Sequence, residues 1–402
     1  MNVLMVHSFW HARGGDTTCM FSEVAGLEAR GHTVIPFAMR HPNNLPSPWE
    51  NRFPTWTDIW HAQGAGLALS VAAAIYNPQA ARALDALLTD VNVDVAHIHH
   101  LHRHLTPSIL DVLRRHRVPV VWTVHDYELI CPNGLLYTDE AFCTRCRDHR
   151  YGEAVRHRCK RGDTAQSAAV ALEKWTHARL RIWDKVDRFL APSRFLADRL
   201  CEFGIDEHRV QHLPNGIAVP ATAASAPGAL FAHADWLFAG RLSAEKGVAD
   251  LLAAAALLPE HRLLVLGDGP ARIGLPPLPN VHFAGSVVPE QVASALGRVR
   301  VAVVPSRWPE NFPYAVLEAQ LAGCAVVATR VGGIPEQIDD GVDGILVEPA
   351  DPAALAHAVR GLLAEPARAA ELGRAGQTRV RSKNAIEPWF DALEKTFREV
   401  SD

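Results

Sequence analysis

Short apolar runs alternate with segments of helical spacing along the first half of the chain. The runs Val3–His7 and Thr33–Phe37 predict buried strands, and Thr17–Arg30 between them predicts a helix. Gly31 marks the expected end of that helix, because glycine readily adopts the left-handed conformation found there. Further strands are predicted at Val93–Ile98, Val118–Val124 and Arg188–Ala191. Short buried strands separated by helices indicate a parallel sheet that is covered by helices on both faces.

The alternation stops at Pro214–Asp235, a stretch rich in Ala, Pro, Gly and Ser that predicts an interdomain linker. It then restarts, with helices predicted at Pro352–Leu363 and Ile386–Val400. Strands are predicted at Trp236–Ala239, Leu263–Leu266, Val281–Ala284, Val301–Val304 and Ala325–Thr329. We therefore expect an α/β protein with two doubly wound, Rossmann-like domains that face each other across a cleft.

These patterns also give the domain bounds. Residues 1–215 are expected to form the first domain, with a cysteine-rich insertion near residues 131–161. Residues 216–384 are expected to form the second domain, and residues 385–402 a helix that returns to the first. A chain of 402 residues is long for one core and suits two domains.

Composition and charge exclude some classes of protein. The net charge of −4 argues against a general nucleic-acid binder. The apolar stretch that comes closest to a membrane span, Val248–Leu258, contains Asp250 and is well short of the ~20 residues that a span needs. The first residues carry no basic run and predict a strand rather than a secretory signal. We therefore expect a cytoplasmic protein.

A turn between a predicted strand and a predicted helix carries two cations, Arg241 and Lys246, within Gly240–Gly247. The backbone N–H groups of such a turn point outward and the helix dipole favours anions there, so the turn is a candidate diphosphate site. It is not a Walker loop, which needs Gly-x4-Gly-Lys-Ser/Thr. A solvated turn with unpaired charges explains this segment alone equally well.

A second candidate segment carries two carboxylates, Glu310 and Glu318, on either side of Pro313. Pro313 suits the first turn of a helix, which would place Glu310 in the preceding loop and Glu318 inside the helix. Both carboxylates could accept hydrogen bonds from the hydroxyls of a sugar held at the helix N-terminus. The alternative is a capping Glu and a surface Glu, although Glu318 in an apolar helix is costly to bury without a partner.

The set of motifs, in this order, resembles the retaining GT-B glycosyltransferases of family 4, also called glycosyl transferase group 1. The resemblance covers nearly the whole chain. The motifs are Gly14-Gly15, Asp94 to His99, Thr123 to Asp126, Ala191-Pro192-Ser193, Pro214-Asn215-Gly216, Gly240-Arg241 with Lys246-Gly247, Gly267-Asp268-Gly269, Glu310 to Glu318, and Gly332 to Glu336. The resemblance implies transfer of a sugar from a nucleotide-diphosphate donor to an acceptor with retention of the anomeric configuration.

The resemblance also implies roles for single residues. Arg241 and Lys246 would hold the donor diphosphate. Glu310 would contact the donor sugar, Glu318 would bind the nucleotide ribose, and His125 would lie beside the donor sugar. The residues expected to be catalytic are His125, Glu310, Arg241 and Lys246. The other residues expected to bind the donor are Gly15, Gly267, Asn311, Phe312, Pro313 and Glu318.

The acceptor is expected to meet Gly14, Asp16 and His99. For Asp16 the favoured role is instead the N-cap of the first helix. Many family members have Gly where Asn311 stands, so this side chain could narrow the donor pocket or alter its loop.

The resemblance further implies front-face displacement, in which the leaving phosphate takes the acceptor proton. No Asp-x-Asp triplet occurs, so a metal-bound donor is not expected. We expect Arg241, Lys246 and the helix N-terminus near Phe312 to stabilise the leaving diphosphate, with no cofactor for catalysis.

Histidines are dense around the third predicted strand. His125 follows the carboxyl end of a strand in a Thr-x-His-Asp context, which favours a site over a structural histidine. A second group could form a metal cluster: His97, His99, His100, His102 and His104. Contacts of this loop with the acceptor are favoured over a metal, because His97 and His99 alternate on a strand that then runs into a loop.

Four of the seven cysteines are clustered as Cys131-x11-Cys143-x2-Cys146-x12-Cys159. This spacing suits a tetrahedral zinc site of four thiolates, with His149 and His157 as substitute ligands. Two disulfides, an iron–sulfur cluster and four unrelated thiols stay open as alternatives, although a cytosolic location disfavours disulfides. A structural zinc is therefore the favoured expectation.

The expected partners are a UDP- or GDP-sugar donor and a saccharide or lipid-linked acceptor, and peripheral membrane contact stays open. The basic stretch at 143–161 could compensate the charge of the thiolates, could face an anionic acceptor such as a lipid diphosphate, or could be a solvated face. Two other functions stay open. A nucleotide-sugar epimerase of the same architecture would need no acceptor, and a zinc-stabilised binding protein would have no activity. An NAD enzyme is disfavoured because neither first turn has Gly-x-Gly-x-x-Gly.

Overall fold

The computed structural model describes residues 1–12, 14–56, 71–218 and 234–402. The chain divides into two compact units. The first contains Met1–Thr138, Cys143–Leu213 and Phe390–Asp402, and the second contains Asp139–Phe142 and Pro214–Trp389. Residues 219–233 of the predicted linker lie outside the described residues. Within the described ranges, no helix combines the length and apolarity needed to cross a membrane.

The first unit is built on a six-stranded parallel sheet in the order β2-β1-β3-β4-β7-β8. Its strands are β1 Asn2–His7, β2 Thr33–Phe37, β3 Val95–His100, β4 Val120–Thr123, β7 Arg188–Ala191 and β8 Val210–His212. A separate hairpin is formed by β5 Tyr137–Thr138 and β6 Ala141–Phe142. In β1, Val3 pairs with Val34 of β2 on one side and with Val95 of β3 on the other. Burial on both faces explains the apolar runs of β1, β2 and β4, whereas β3 also carries three histidines.

The helices of the first unit connect these parallel strands. They are Gly15–Ala29, Pro78–Asp90, Ser108–Arg115, Gly152–Arg156, Thr164–Arg179 and Arg194–Glu202. Three begin at side-chain caps, since Asn77 accepts hydrogen bonds from the backbone N–H groups of Gln79 and Ala80, Asp163 accepts one from Gln166, and Ser193 accepts one from Leu196. The predicted helix Thr17–Arg30 starts two residues earlier than expected, at Gly15.

The second unit repeats the plan with a six-stranded parallel sheet in the order β11-β10-β9-β12-β13-β14. Its strands are β9 Trp236–Ala239, β10 Leu263–Leu266, β11 Val281–Gly285, β12 Val301–Val304, β13 Ala325–Thr329 and β14 Ile345–Val347. Alternate residues of each strand pack into two hydrophobic cores, one on each face of the sheet. Trp236 and Phe238 lie in one core and Leu237 in the other. The expected fold class, two doubly wound α/β units, is confirmed.

The helices of the second unit cover both faces of its sheet. They are Val248–Ala256, Pro289–Leu296, Tyr314–Leu321, Ile334–Gln337, Pro352–Ala364 and Pro366–Lys383. Gly373, inside Pro366–Lys383, lies against the turn at Gly323, where a Cβ would come within 2.0 Å of the Gly323 carbonyl oxygen. Only a glycine therefore lets this helix approach the turn so closely.

The last helix, Ile386–Ser401, contacts the first unit through its later turns. A Cβ on Gly26 would lie 1.9 Å from the Phe390 ring, so the ring packs directly on the backbone of the first helix. Arg30 donates hydrogen bonds to Asp391 and Glu394, and the Phe397 ring packs against His97. Residues from Phe390 onward thus belong to the core of the first unit.

Gly373→Ala should destabilise the protein. Alanine is favoured over glycine inside a helix by about 1 kcal/mol, but the backbone of Gly323 cannot move away as a side-chain end could. We expect a net loss of about 1–3 kcal/mol, as for overpacked cores, measured by urea unfolding of the second unit.

The matched control is Gly361→Ala in the helix Pro352–Ala364, where a Cβ would meet nothing within 4 Å. This variant should be up to about 1 kcal/mol more stable than the native chain. Equal effects of the two substitutions would contradict the close approach at Gly373.

Candidate active site

In the second unit, the turn after β9 is held close to the loop after β12. Gly247 has φ 71°, and a Cβ there would lie 1.8 Å from the Pro305 carbonyl oxygen. The backbone N–H groups of Arg307 and Trp308 donate to the Glu245 carbonyl oxygen at 2.9 and 3.3 Å. These contacts bring the predicted diphosphate turn beside the segment that contains Glu310.

Lys246 and Glu310 form an ion pair at this junction. Lys246 Nζ donates to Glu310 Oε1 at 2.6 Å, and the Ser306 hydroxyl donates to the same oxygen at 2.5 Å. Glu310 is 4 % exposed, and within the described residues its Oε2 has no hydrogen-bond partner. Lys246 Nζ also lies 5.3 Å from the centre of the Trp308 ring, within the range of a cation–π contact. One carboxylate oxygen therefore fixes the lysine while the other stays available to a ligand.

Arg241 differs from the neighbouring Arg307 in what it contacts. The Arg307 guanidinium donates two hydrogen bonds of 2.6 Å to the Asp250 carboxylate, a bidentate pair. The Arg241 side chain is exposed and makes no ion pair within the described ranges. Arg241 is thus the arginine of this turn that can bind an anion.

Glycines hold two further predicted motifs against this site, one against the turn and one against the Glu310 segment. Gly267 has φ 121°, and a Cβ there would lie 2.0 Å from the Gly240 carbonyl oxygen. Gly332 has φ 55°, and its Cβ would lie 2.1 Å from the Glu310 carbonyl oxygen, to which Gly333 donates its N–H at 2.7 Å. Gly267 is therefore close to the predicted diphosphate turn, and its part in binding a donor stays a prediction.

The segment Asn311 to Pro313 leads into the helix Tyr314–Leu321. Pro313 is the residue before the helix, not part of its first turn as predicted. The Asn311 side chain is buried, and the Phe312 carbonyl oxygen accepts a hydrogen bond of 3.4 Å from Asn215 Nδ2. Gln337 Nε2 donates to the Pro313 carbonyl oxygen at 3.2 Å. The loop is therefore held by its backbone oxygens.

Glu318 lies in the second turn of that helix. Its carboxylate is partly buried and has no hydrogen bond or ion pair with the described residues. Burial raises the pKa of Glu318 to about 7. A buried carboxyl group without a protein partner is costly unless a ligand supplies one, so Glu318 is placed to bind a polar group.

In the first unit, Gly14 is the N-cap of the first helix and Gly15 is its first residue. Asp16 is therefore not the N-cap, and that prediction was wrong. Its carboxylate instead accepts a hydrogen bond of 3.2 Å from the buried His7, whose Nδ1 accepts from the Phe9 N–H. Burial opposes the charge of Asp16, yet the His7 hydrogen bond and the nearby imidazoles hold its pKa well below its usual range.

His125 follows β4 and lies against His99 at the end of β3. His99 Nδ1 and His125 Nε2 are 2.8 Å apart, and the two rings are stacked. Burial lowers the pKa of His99 to about 4 and that of His125 to about 3, so both rings are neutral near pH 7. One of the two nitrogens must then donate and the other accept.

The buried Glu23 decides which nitrogen donates. Burial opposes its charge, but His97 and His99 outweigh this and lower its pKa to about 2. The ionised Glu23 Oε2 lies 3.3 Å from His99 Nε2, a charge contact without hydrogen-bond geometry, so it favours the proton on that nitrogen. His99 Nδ1 then accepts from His125 Nε2–H, which leaves His125 Nδ1 as an acceptor.

Several residues of this network were missed by the sequence analysis. Glu23, His7 and Glu128 are buried polar side chains, and no local sequence motif predicts their burial. Asp126 belonged to a predicted motif, but its titration was not anticipated. Burial, and next the charge of Glu128, raise the pKa of Asp126 to about 7. An acidic residue at helical spacing on the buried face of the first helix was the available signal for Glu23.

The histidine side chains lie closer to one another and to acidic side chains than their alternation along a strand predicts. Groups with ligand atoms within 4.8 Å of one another are Glu23 with His97 and His99, Cys19 with His99 and His125, and His100 with Asp126 and Glu128. In the first group, His97 Nδ1 donates to Glu23 and its Nε2 accepts from the Thr123 hydroxyl at 2.8 Å. His97 is therefore satisfied by protein partners. The four predicted zinc ligands lie elsewhere in this unit, around one small cavity.

Two family models match most of the chain. Residues 13–219 match the model of Glycosyltransferase Family 4, and residues 233–365 match that of Glycosyl transferases group 1. The chain belongs to glycosyltransferase family 4. Among its relatives, a D-inositol 3-phosphate glycosyltransferase of Corynebacterium kroppenstedtii is 37 % identical over 143 residues, 31 % of each chain. A glycogen synthase of Mycobacterium tuberculosis is 30 % identical over 240 residues, 56 % of this chain and 58 % of the relative.

Two solved structures share the fold. Sucrose-phosphate synthase from Thermosynechococcus elongatus superposes with a TM-score of 0.70 at 20 % identity, over 99 % of this chain and 98 % of that one. The Anabaena protein HepE, solved with UDP and glucose, gives a TM-score of 0.69 at 16 % identity, over 99 % and 100 % of the two chains. The expected GT-B fold is confirmed. The chain spans less than two thirds of the two sequence relatives, 31 % and 58 % of their lengths.

His125 should stay neutral, with its proton on Nε2, between pH 5 and pH 8. The reason is that burial disfavours the imidazolium and lowers the pKa to about 3, below this whole window. Long-range 15N–1H spectra of histidine-labelled protein would measure the tautomer, and the His125→Asn spectrum would assign the signal. Glu23→Gln removes the charge that selects the His99 tautomer, so the Nδ1–H form of His125 should increase.

Glu28→Gln is the matched control, because Glu28 is exposed on the same helix. It should leave the His125 signal unchanged. Titration of His125 near its ordinary pKa, or an unaltered tautomer in Glu23→Gln, would show that the buried charge does not set the state of His125.

Proposed function

We propose that this family 4 protein is a retaining glycosyltransferase that moves a hexose from a UDP- or GDP-sugar to a saccharide or lipid-linked acceptor. Membership of the family supports glycosyl transfer, and the named relatives are glycosyltransferases. HepE was solved in complex with UDP and glucose, which supports a nucleotide-sugar donor. A GDP-mannose-dependent alpha-mannosyltransferase of Corynebacterium glutamicum, 29 % identical over 196 residues, keeps GDP-sugars open.

The observation that carries the proposal is the junction of Lys246 with Glu310. Among the described residues, it combines a fixed cation, a carboxylate oxygen without a partner and the unpaired guanidinium of Arg241 at one strand-to-helix turn. A diphosphate would bind to Arg241, Lys246 and the turn's N–H groups, and a sugar hydroxyl would donate to Glu310 Oε2. Glu318, with its raised pKa, would accept hydrogen bonds from the ribose hydroxyls.

The reaction that suits these groups is a front-face displacement. The acceptor oxygen bonds to the anomeric carbon as the bond from that carbon to the donor phosphate oxygen breaks. The acceptor proton passes to the leaving phosphate oxygen, so no base from the chain is needed. Arg241 and Lys246 stabilise the charge that develops on the diphosphate, and this is why we propose that no metal takes part in catalysis.

His125 is our candidate in the first unit for the reacting sugar. Its low pKa makes it a neutral hydrogen-bonding group near pH 7, not a proton donor to the leaving group. Glu23 and His99 position it, and Gly14 and Asp16 remain the candidates for contacts with the acceptor. His99, which was also expected to meet the acceptor, is buried and contacts Glu23 and His125 instead. The exposed arginines within residues 143–161 would attract an anionic acceptor such as a lipid diphosphate, which would bring the protein to a membrane surface.

A nucleotide-sugar epimerase is the second candidate, because Asp126, with a pKa raised to about 7, is a carboxyl group suited to acid–base work. A zinc-stabilised binding protein without activity is the third. The epimerase would convert a nucleotide sugar without any acceptor, whereas the binding protein would convert none.

A screen of nucleotide sugars by thermal shift should identify one donor class that stabilises the protein. A ligand at a hundredfold excess over its dissociation constant adds about 2.7 kcal/mol. With that donor and a suitable acceptor, NMR of the product should show the anomeric configuration of the donor. The reaction should continue in EDTA without added magnesium.

Each contrary outcome would refute a different part of the proposal. An inverted anomer would refute retention, and turnover that only magnesium restores would refute the electrostatic assignment. Conversion of the donor in the absence of acceptor would favour the epimerase. Binding of no UDP or GDP species would favour the non-enzymatic protein.

Glu310→Gln and Glu318→Gln should have different kinetic effects. Glu310 is expected to orient the sugar as charge develops, so its loss should lower kcat by about 10- to 100-fold at a nearly unchanged donor KM. Glu318→Gln should mainly raise the donor KM and the dissociation constant of the nucleoside diphosphate. Steady-state kinetics and calorimetry would measure both.

The matched control is Glu290→Gln, an exposed carboxylate in the first turn of the helix Pro289–Leu296. It should behave like the native chain. Equal losses of nucleotide affinity in Glu310→Gln and Glu318→Gln, without an effect on kcat, would refute the division of roles.

A further inference from the structure

The cysteine-rich insertion brings its four thiols to one place. Cys131, Cys143, Cys146 and Cys159 all line a single cavity of about 10 Å³ in the first unit. This is about the space that one water molecule or a single ion needs. Cysteines that are 28 residues apart in sequence, from 131 to 159, thus line one small space. No three of their sulfurs lie within 4.8 Å of one another, and the Cys131 thiol donates to Asn133 Oδ1 at 2.9 Å, so an ion would draw the sulfurs inward.

Local backbone hydrogen bonds hold each cysteine in position. The Cys131 N–H donates to the Tyr127 carbonyl oxygen at 2.8 Å, and the Cys143 N–H donates to that of Leu136 at 2.8 Å. Between Cys143 and Cys146 the chain makes a tight turn, closed by the Arg147 N–H to the Thr144 carbonyl oxygen at 3.0 Å. The cysteines therefore come from separate turns and a knuckle, as in metal sites rather than in a helix or strand.

We propose that Cys131, Cys143, Cys146 and Cys159 bind one Zn²⁺ ion as a structural site. Four thiolates in a tetrahedral arrangement are a donor set that zinc prefers, and the Cys-x2-Cys pair has the ligand spacing of such sites. Binding converts four thiols to thiolates and releases four protons to solvent, leaving a complex with two negative charges.

The surroundings offset that charge. Backbone N–H groups of the turn Asn133 to Leu136 lie near the Cys131 sulfur, and the Ala154 N–H lies near that of Cys146. Arg145 Nη1 lies 3.9 Å from Cys143 Sγ. Such N–H and guanidinium donors favour thiolates and lower the cost of burying a charged metal complex.

An iron–sulfur cluster or two disulfides fit these thiols less well than zinc does. A four-iron or two-iron cluster is several atoms across and does not fit a cavity of about 10 Å³. All four are free thiols, not joined in a disulfide. His149 contacts Tyr151 and His157 lies near Glu153, so neither of these substitute ligands lines the cavity.

A zinc ion here would fix the segment that follows His125. Tyr127 accepts the Cys131 N–H, and a Cβ on Gly134 would lie 2.7 Å from Glu128 Cγ. Glu128 in turn accepts a hydrogen bond of 2.5 Å from Arg103 and lies 3.8 Å from His100. The metal would therefore stabilise the polar network of the first unit without touching a substrate, so its role is structural.

The test is metal analysis of the full chain, purified without chelators. We expect about one zinc per chain, little iron and no visible colour. A mercurial reagent should release that zinc as it consumes thiols, which a zinc-sensitive dye would record. Protein grown in cobalt should show the ligand-field and charge-transfer bands of tetrahedral cobalt thiolate. Both measurements use the native chain and do not depend on the folding of any variant.

Cys143→Ser and Cys146→Ser should lose most of the zinc, while two matched controls should keep it. Cys201→Ser changes a partly buried thiol outside the cluster, and Cys324→Ser keeps a donor to the Leu296 carbonyl oxygen. Zinc-free native protein, with all four cluster thiols open to alkylation after growth in zinc, would overturn the proposal. Stoichiometric iron with a visible chromophore would overturn it in favour of an iron–sulfur cluster.

Discussion

Contacts between backbones at the carboxyl ends of the second sheet determine how the residues of the candidate site in the second unit meet. Gly247 lies on the carbonyl of Pro305, Gly267 on that of Gly240, and Gly332 on that of Glu310. At each of these points a Cβ would come within about 2 Å of a carbonyl oxygen, so the loops could not be stacked with any other residue. The ion pair of Lys246 with Glu310 depends on this stacking, because their segments follow different strands.

In the first unit, by contrast, many titratable side chains are buried together in one place. The negatively charged Glu23 lies beside His97 and His99, and His99 in turn contacts His125. Burial then keeps the rings of His99 and His125 neutral, so the network fixes tautomers instead of accumulating charge. A neutral His125 of defined tautomer is consistent with a reaction in which the leaving phosphate takes the proton.

Much of the fold could be predicted because its strands are buried on both faces and are therefore continuous apolar runs. Trp236–Ala239 and Ala325–Thr329 have the predicted bounds, whereas the edge strands Val210–His212 and Ile345–Val347 were missed because they are short. Motifs located Glu310 and Lys246, but their pairing needs the glycine contacts. Asp16 was misassigned because its partner is His7, in a different element, and no local pattern records such a contact.

The cysteine insertion differs from both networks because it has little apolar core of its own. Its helix Gly152–Arg156 is short, and its hairpin has two residues in each strand, so burial alone gives these turns little stability. Small segments of this kind gain stability from metals or cross-links. The stacked glycines and the buried histidines are held by the strands and helices of the two sheets. The turns around Cys131 and Cys159 instead meet at a small cavity lined by thiols. An ion bound there would join these turns to one another. The position of the Glu128 side chain would then depend on the bound metal as well as on the contacts of the chain itself.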